Sequence, residues 1–265
     1  MVRAIIWVVS VVAILGGLAV LAAGPGTRFG LWDFRVGLGI IQLAAIPVLI
    51  ATAAALVSLG LAVWKARRLA PLAVAALLVA GGAAVVPLQM KAAADANPFI
   101  HDITTDFDSP PAIVAAASAA RMNPVDYLGD DAVPGGKDGL TVSKAQTAAF
   151  PDIAALEIPG DPAAVAARAE SVIAAMGMEI IRGAPDAPGP ADMIQIEAVA
   201  TSLWFGFKDD FVVRLSKLPD GATRVDTRSK SRVGVSDLGA NAARTRQFLK
   251  DLTASMPDMA GDTAS

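Results

Sequence analysis

Cysteine is absent from the 265 residues and histidine occurs once, as His101. The first absence excludes disulfides, thiolate nucleophiles and Cys-based metal centres. The second leaves any acid–base or metal scheme to be assembled around one imidazole. Acid is also scarce in the first third, where residues 1–90 hold Asp33 against six Lys/Arg, a net charge of +5. Residues 91–265 reverse the balance, with sixteen Lys/Arg against twenty-four Asp/Glu, a net of −8. An acidic domain of that kind is a poor general partner for nucleic acid. Freedom from cysteine suits an exported domain.

What fills the first third is apolar. Ala4–Ala22, Gly37–Val63 and Leu69–Leu88 contain no charged residue. Each is long enough to cross a hydrocarbon core of roughly 30 Å, which needs about 20 helical residues. The first apolar stretch exceeds the usual signal-peptide core of about 7–15 residues, and Leu21 is a poor residue for the −3 cleavage position, so a retained helix is expected. Lys65, Arg67 and Arg68 sit in the short loop between the second and third spans, and a short basic loop stays on the cytoplasmic side. The N-terminus is then cytoplasmic, and the chain after Leu88 emerges on the other face of a bacterial inner membrane. Gln42, Thr52 and Ser58 are the notable polar groups within the spans. With no ionisable residue there, helix-to-helix hydrogen bonding is the expected role and an anchor the expected function.

The remainder reads as a lead-in segment, short helix and loop over 91–145, a core domain over 146–255 and a flexible tail over 256–265. A short alanine-rich helix is expected over Ala112–Arg121, after Pro110-Pro111. The clearest helix runs from Pro162 to Met176: Asp161 caps it, Pro162 occupies its first position and Gly177 stops it. Strands are expected at Ala155–Ile158 and Met178–Arg182, followed by a linker over Gly183–Pro190. Alternation then marks strands ending near Ala200, at Phe211–Leu218 and at Thr223–Val233, the last two joined by the turn Pro219-Asp220-Gly221-Ala222. A final helix spans Asp237–Ala254 with Ser236 as cap. Strands and helices in this order predict an α+β domain on a largely antiparallel sheet, carried by an α-helical anchor of three transmembrane helices.

The segment Arg224–Asp237 concentrates the chemistry. On a strand, Arg224, Asp226, Arg228, Lys230 and Arg232 share one face while Val225, Thr227, Ser229, Ser231 and Val233 share the other. From Arg224 to Arg246 the net charge is +4 within the −8 domain. Arginine forks hold phosphate or carboxylate bidentately. The primary expectation is therefore a site for an anionic ligand or lipid headgroup, built from Arg228, Lys230, Arg232, Asp237, Asn241 and Arg244. The competing reading pairs these cations with Asp209, Asp210 and Asp226 across neighbouring strands. His101, Asp102, Asp106, Asp209 and Asp210 are secondary candidates, and His101 with Asp102 or Asp106 is the basis for a hydrolase alternative. Such a cluster lacks a defined ligand spacing, and there is no Gly-x-Ser-x-Gly elbow. No catalytic residue, metal or cofactor is assigned. Trp204, Phe205 and Phe207 read as packing residues and not as a ligand platform.

Ile100-His101-Asp102-Ile103-Thr104-Thr105-Asp106, Gly206-Phe207-Lys208-Asp209-Asp210 and the run Asp226–Asn241 resemble the bacterial and plastid family called domain of unknown function 1499. The resemblance covers about residues 97–254 and leaves the spans outside. It implies a membrane protein with a non-cytoplasmic domain and no established reaction. The expected partners are the lipid bilayer, an anionic lipid or small molecule, or an envelope protein.

Overall fold

The computed structural model describes residues 1–136, 139–184 and 193–256. It divides into a helical unit, residues 1–96 with 202–206, and an α+β unit made of residues 97–201 and 207 onward. Most of the expected Gly183–Pro190 linker and of the 256–265 tail lies outside the described residues.

Helix α1 covers Val2–Arg28, α2 covers Phe34–Lys65 and α3 covers Ala70–Ala96, with a 3-10 turn at Arg67–Leu69. All three are long and apolar enough to cross a membrane. Each outruns the span expected from charge-free length, because a helix continues into polar flanks wherever its backbone bonds stay satisfied. α3 therefore includes residues 91–96, expected to be extended. The interior of the bundle is built from small side chains, among them Ala13, Gly17, Ala55, Ala76 and Ala80. Large apolar groups such as Leu43, Ile46 and Leu78 point outward. That inversion of a water-soluble fold is the signature of helices solvated by lipid, where backbones approach closely at small residues. Ser58 faces Ser10 at 3.4 Å between hydroxyls. In the same unit, Trp204 Nε1 donates to the Leu21 carbonyl, and its ring meets Phe205 edge-on with centroids 5.1 Å apart.

Among the described residues the α+β unit is organised by six antiparallel strands: β1 (Asp102–Thr104), β2 (Leu156–Ile158), β3 (Glu179–Arg182), β4 (Met193–Thr201), β5 (Lys208–Lys217) and β6 (Thr223–Ser231). The order is β1-β6-β5-β4-β3, with β2 also pairing β6. Alternation gives the sheet two different faces. Ile196, Ala198, Phe211, Val213, Leu215 and Val225 pack beneath α5 (Pro162–Ala175) and α6 (Ala240–Ala254) in the main core. The opposite face carries Glu197, Asp210, Arg214, Asp226, Arg228 and Lys230, and all but the partly exposed Arg214 are buried as well. α5 follows its sequence signals: Asp161 accepts from the Ala163 N–H and Gly177 adopts φ +74°.

Three local expectations are corrected. No helix forms over Ala112–Arg121, which is a chain of turns held by side-chain carboxylate. An unpredicted helix, α4 (Val142–Ala149), starts where the Thr141 hydroxyl accepts from the Lys144 N–H. α6 begins at Ala240 and not at Asp237. The Asp237 carboxylate, not Ser236, caps it by accepting from the Gly239 and Asn241 N–H groups at 2.9 and 2.7 Å. Gly239 is required there, since its φ is +86° and a Cβ would strike the Asn97 side chain.

Candidate functional site

The candidate cations do not form one constellation. Strand alternation and the seat of α6 put Arg228 and Lys230 on one face of β6 and Ser229 and Ser231 on the other. Asn241 and Arg244 belong with the second group. Asn241 Nδ2 donates to the His101 carbonyl and to Ser231 Oγ, while its Oδ1 accepts from Ser229 Oγ at 2.7 Å. Arg244 bonds Ser229 Oγ, the Asn241 amide oxygen and, at 2.7 Å, Asp209. This cluster locks the start of α6 to β6.

The first face is a buried ionic framework. Asp102 on β1 lies across from Lys230 in register. Its carboxylate takes Arg228 Nε at 3.0 Å and Nη2 at 2.8 Å, and Lys230 Nζ at 2.9 Å. Arg228 is 2 % exposed and Lys230 1 %. Asp210 is shared by Arg232 and Arg121. Asp106 and Asp226 are shared by Arg214 and Arg224. Six cations thus meet four carboxylates, and main-chain carbonyls take up the surplus: Pro111 and Val125 accept from Arg228, Asp126 from Lys230, Ala116 from Arg121. A buried charge needs both a counter-ion and its remaining hydrogen bonds. The segment 105–131 supplies those acceptors, and that is why it can cover a charged sheet without regular structure of its own.

Glu197, which sequence reasoning missed, does the same on β4. Its Oε2 accepts from the N–H groups of Val114, Ala115 and Ala116, and its Oε1 from Arg182 and Gln195. A single glutamate within the run Ile194-Gln195-Ile196-Glu197-Ala198-Val199 was the available signal. Within the described residues Arg121 leaves Nε and Nη1 without partners, and Tyr127 its hydroxyl.

The electrostatics follow burial. Lys230 is held below the usual lysine range by burial, with Asp102 pulling the other way. Asp237 is pushed up by burial despite its two N–H donors. Asp106 is lowered; burial raises it, but the Ser109 N–H and the Arg214 guanidinium prevail. His101 is lowered, first by burial and then by Lys230, so its imidazole is predominantly neutral near pH 7. Its ring hydrogen-bonds the Val235 backbone, and its carbonyl accepts from the Ser231 N–H. His101 therefore adjoins β6 and Asp102. Ser229 and Ser231, however, are engaged by Asn241, so neither stands as an imidazole-activated nucleophile. No group of three or more metal-ligating side chains converges among the described residues.

One cleft opens beside the framework, with a volume of about 830 Å³. Arg228 forms part of its wall, under the Tyr127 ring whose centroid is 5.5 Å from the guanidinium carbon. Lys230 and Arg232 do not line it. Its rim carries Asp108, Asp126, Asp130 and Asp131, all exposed. The cleft adjoining the basic strand is therefore acidic.

A family model described as "Protein of unknown function (DUF1499)" matches residues 102–252, more than half of the chain. The chain belongs to this family. The matched range starts at β1 and ends within α6, so it takes in most of the α+β unit together with residues 202–206 and excludes the three apolar helices. Comparison with curated proteins gave no match, and comparison with solved structures gave none either.

Proposed function

We propose that this is a three-span protein of a bacterial inner membrane, holding its α+β domain on the non-cytoplasmic side as a binding module and not as a catalyst. The orientation rests on Lys65, Arg67 and Arg68 in the short loop between two spans. The binding role rests on the cleft at Tyr127 and Arg228. Its wall includes an arginine whose bidentate partner is already inside the protein, and four exposed carboxylates line it as well. That arrangement favours a small ligand or partner segment bearing a cationic group, which meets Asp108, Asp126, Asp130 and Asp131 at the mouth.

An anionic ligand on the Arg228–Arg232 face is the less favoured form of the same role. It would have to displace Asp102 or Asp210, at the cost of a buried unpaired carboxylate. Arg121 has two donors without partners among the described residues, but it does not line the cleft. Titration of the full-length protein in detergent with tetralysine and with tetraglutamate discriminates the two. The acidic rim predicts saturable tetralysine binding, weakened about tenfold or more by Asp126→Asn with Asp130→Asn, the order expected when charge pairs are lost. Preference for tetraglutamate, or indifference to the double substitution, would overturn the cleft assignment.

A further inference from the structure

A second site lies within the helical unit. At one end of the bundle, the start of α1, the end of α2 and the following 3-10 turn enclose a pocket of about 530 Å³. Arg3, Lys65, Arg67 and Arg68 line it together with Trp7. No acidic side chain takes part. The single acid of residues 1–90, Asp33, caps the opposite end of α2, a helix of 32 residues. At 1.5 Å per residue that is a separation of about 48 Å, far beyond a Debye length of roughly 8 Å. None of the four cations is engaged in a salt bridge among the described residues; Arg67 donates only to the Val63 carbonyl, and Lys65 lies 4.1 Å from the Trp64 ring centre.

This differs from the cationic face of β6 in every respect that matters for binding. There, carboxylates and carbonyls consume the donors; here, among the described residues, no carboxylate pairs with any of the four, one carbonyl engages Arg67, and a concavity stands among them. The flanks are equally informative. Trp7 and Trp64 are 54 % and 74 % exposed, on helices whose outer surfaces are apolar. Amphipathic indoles in that position sit at the headgroup level of a bilayer, with acyl chains beside them. Four cations without counter-ions, in a pocket at headgroup depth, define a receptor for a phosphate-bearing group that continues into hydrocarbon.

We propose that the Arg3–Lys65–Arg67–Arg68 pocket binds the headgroup of an anionic phospholipid, with the arginine forks on phosphate oxygens and the acyl chains running down the outer faces of α1 and α2. Basic pockets between transmembrane helices are suited to phosphatidylglycerol-type and diphosphatidylglycerol headgroups by charge and size. The site is independent of the acidic cleft and of the domain's ligand.

The test uses full-length protein in detergent, where membrane insertion plays no part in the readout. Native mass spectrometry would be run with added dioleoyl phosphatidylglycerol, tetraoleoyl cardiolipin or dioleoyl phosphatidylcholine, and separately with inorganic phosphate as competitor. The two anionic lipids should be retained in preference to phosphatidylcholine. Arg3→Gln with Arg68→Gln should reduce that retention by about tenfold or more, on the scale of removing two charges from a headgroup contact. Lys91→Gln, which breaks a pair with Asp95 on α3, should not. Equal retention of all three lipids, or full retention by the double variant, would overturn the proposal. Displacement of the lipid by millimolar phosphate would also overturn the lipid assignment, transferring the site to a soluble phosphate ester. Retention by Arg3→Lys with Arg68→Lys at an intermediate level would support the fork contribution, because lysine keeps the charge and loses the bidentate geometry.

Discussion

Replacing Asp102 with asparagine removes the one carboxylate that Arg228 and Lys230 share. Asp102 is 3 % exposed, and three charge-assisted bonds of 2.8–3.0 Å converge on it. With a neutral amide in its place, two buried cations lose their one salt-bridge partner among the described residues, and water has almost no access to either. Breaking a buried pair by deleting one partner costs about 3–5 kcal/mol, because the penalty is the uncompensated charge and not merely the lost contact. Against a total stability of roughly 5–15 kcal/mol, that is a large fraction. For a unit of this size it corresponds to a Tm loss of roughly 6–20 °C. Tryptophan fluorescence is the wrong probe, since Trp7, Trp32, Trp64 and Trp204 all fall in the helical unit. Hydrogen exchange read by mass spectrometry over β1, β6 and the 105–131 cover reports the right region. Asp102→Asn with Lys230→Met restores the original charge excess and should recover part of the loss. A loss below about 1 kcal/mol for Asp102→Asn alone, typical of an exposed pair, would refute the reasoning. The cations would then be solvated and open to an external anion.

Two further predictions come from the same region. His101 has a folded pKa below the 6.5 of the unfolded chain, so the unfolded state takes up the proton first as pH falls. Stability should therefore decline below about pH 6.5 and level off once the folded pKa is passed; Asp237, raised by burial, contributes the opposite slope as pH falls through its folded pKa, because protonation relieves that burial. Subtracting the pH profile of His101→Gln isolates the first effect, and an unchanged slope between pH 5 and 7 would contradict it. Tyr127→Phe removes a buried hydroxyl that has no partner among the described residues while keeping the ring over Arg228. It should be neutral or stabilising by up to about 1 kcal/mol, and a comparable loss of stability would mean that the hydroxyl is satisfied after all.

The distribution of charge made the anchor legible. Charge-free length located all three spans, and the cap and stop signals at Asp161 and Gly177 located α5. The helix-facing side of the sheet was legible too, because alternation at 194–200 and 211–218 is apolar on one side. Its other face was not. A buried surface was expected to be greasy, so the polar face of β6 was read as a candidate site. In the fold it is an interior, satisfied by Asp102 from a strand of three residues and by carbonyls from a segment with no periodicity. Neither source carries a local signature, since β1 exists only through its partner β6. The irregular 112–116 turns depend likewise on Glu197, some eighty residues away in sequence. The six residues Arg228, Lys230, Arg232, Asp237, Asn241 and Arg244 looked like one site because a linear run hides which side of a strand each neighbour joins. The acidic cleft was harder still to see, as its four carboxylates come from a lead-in turn at Asp108 and from the 125–131 segment, which reads as surface loop.

The absence of cysteine allows the display of a binding domain on the non-cytoplasmic side to be tested directly. Single cysteines are placed at Asp220 in the exposed β5–β6 turn and at Arg67 in the basic loop, then challenged with a membrane-impermeant maleimide on intact spheroplasts. Asp220→Cys should be labelled without permeabilisation and Arg67→Cys only after it. Labelling in the reverse order would contradict that display.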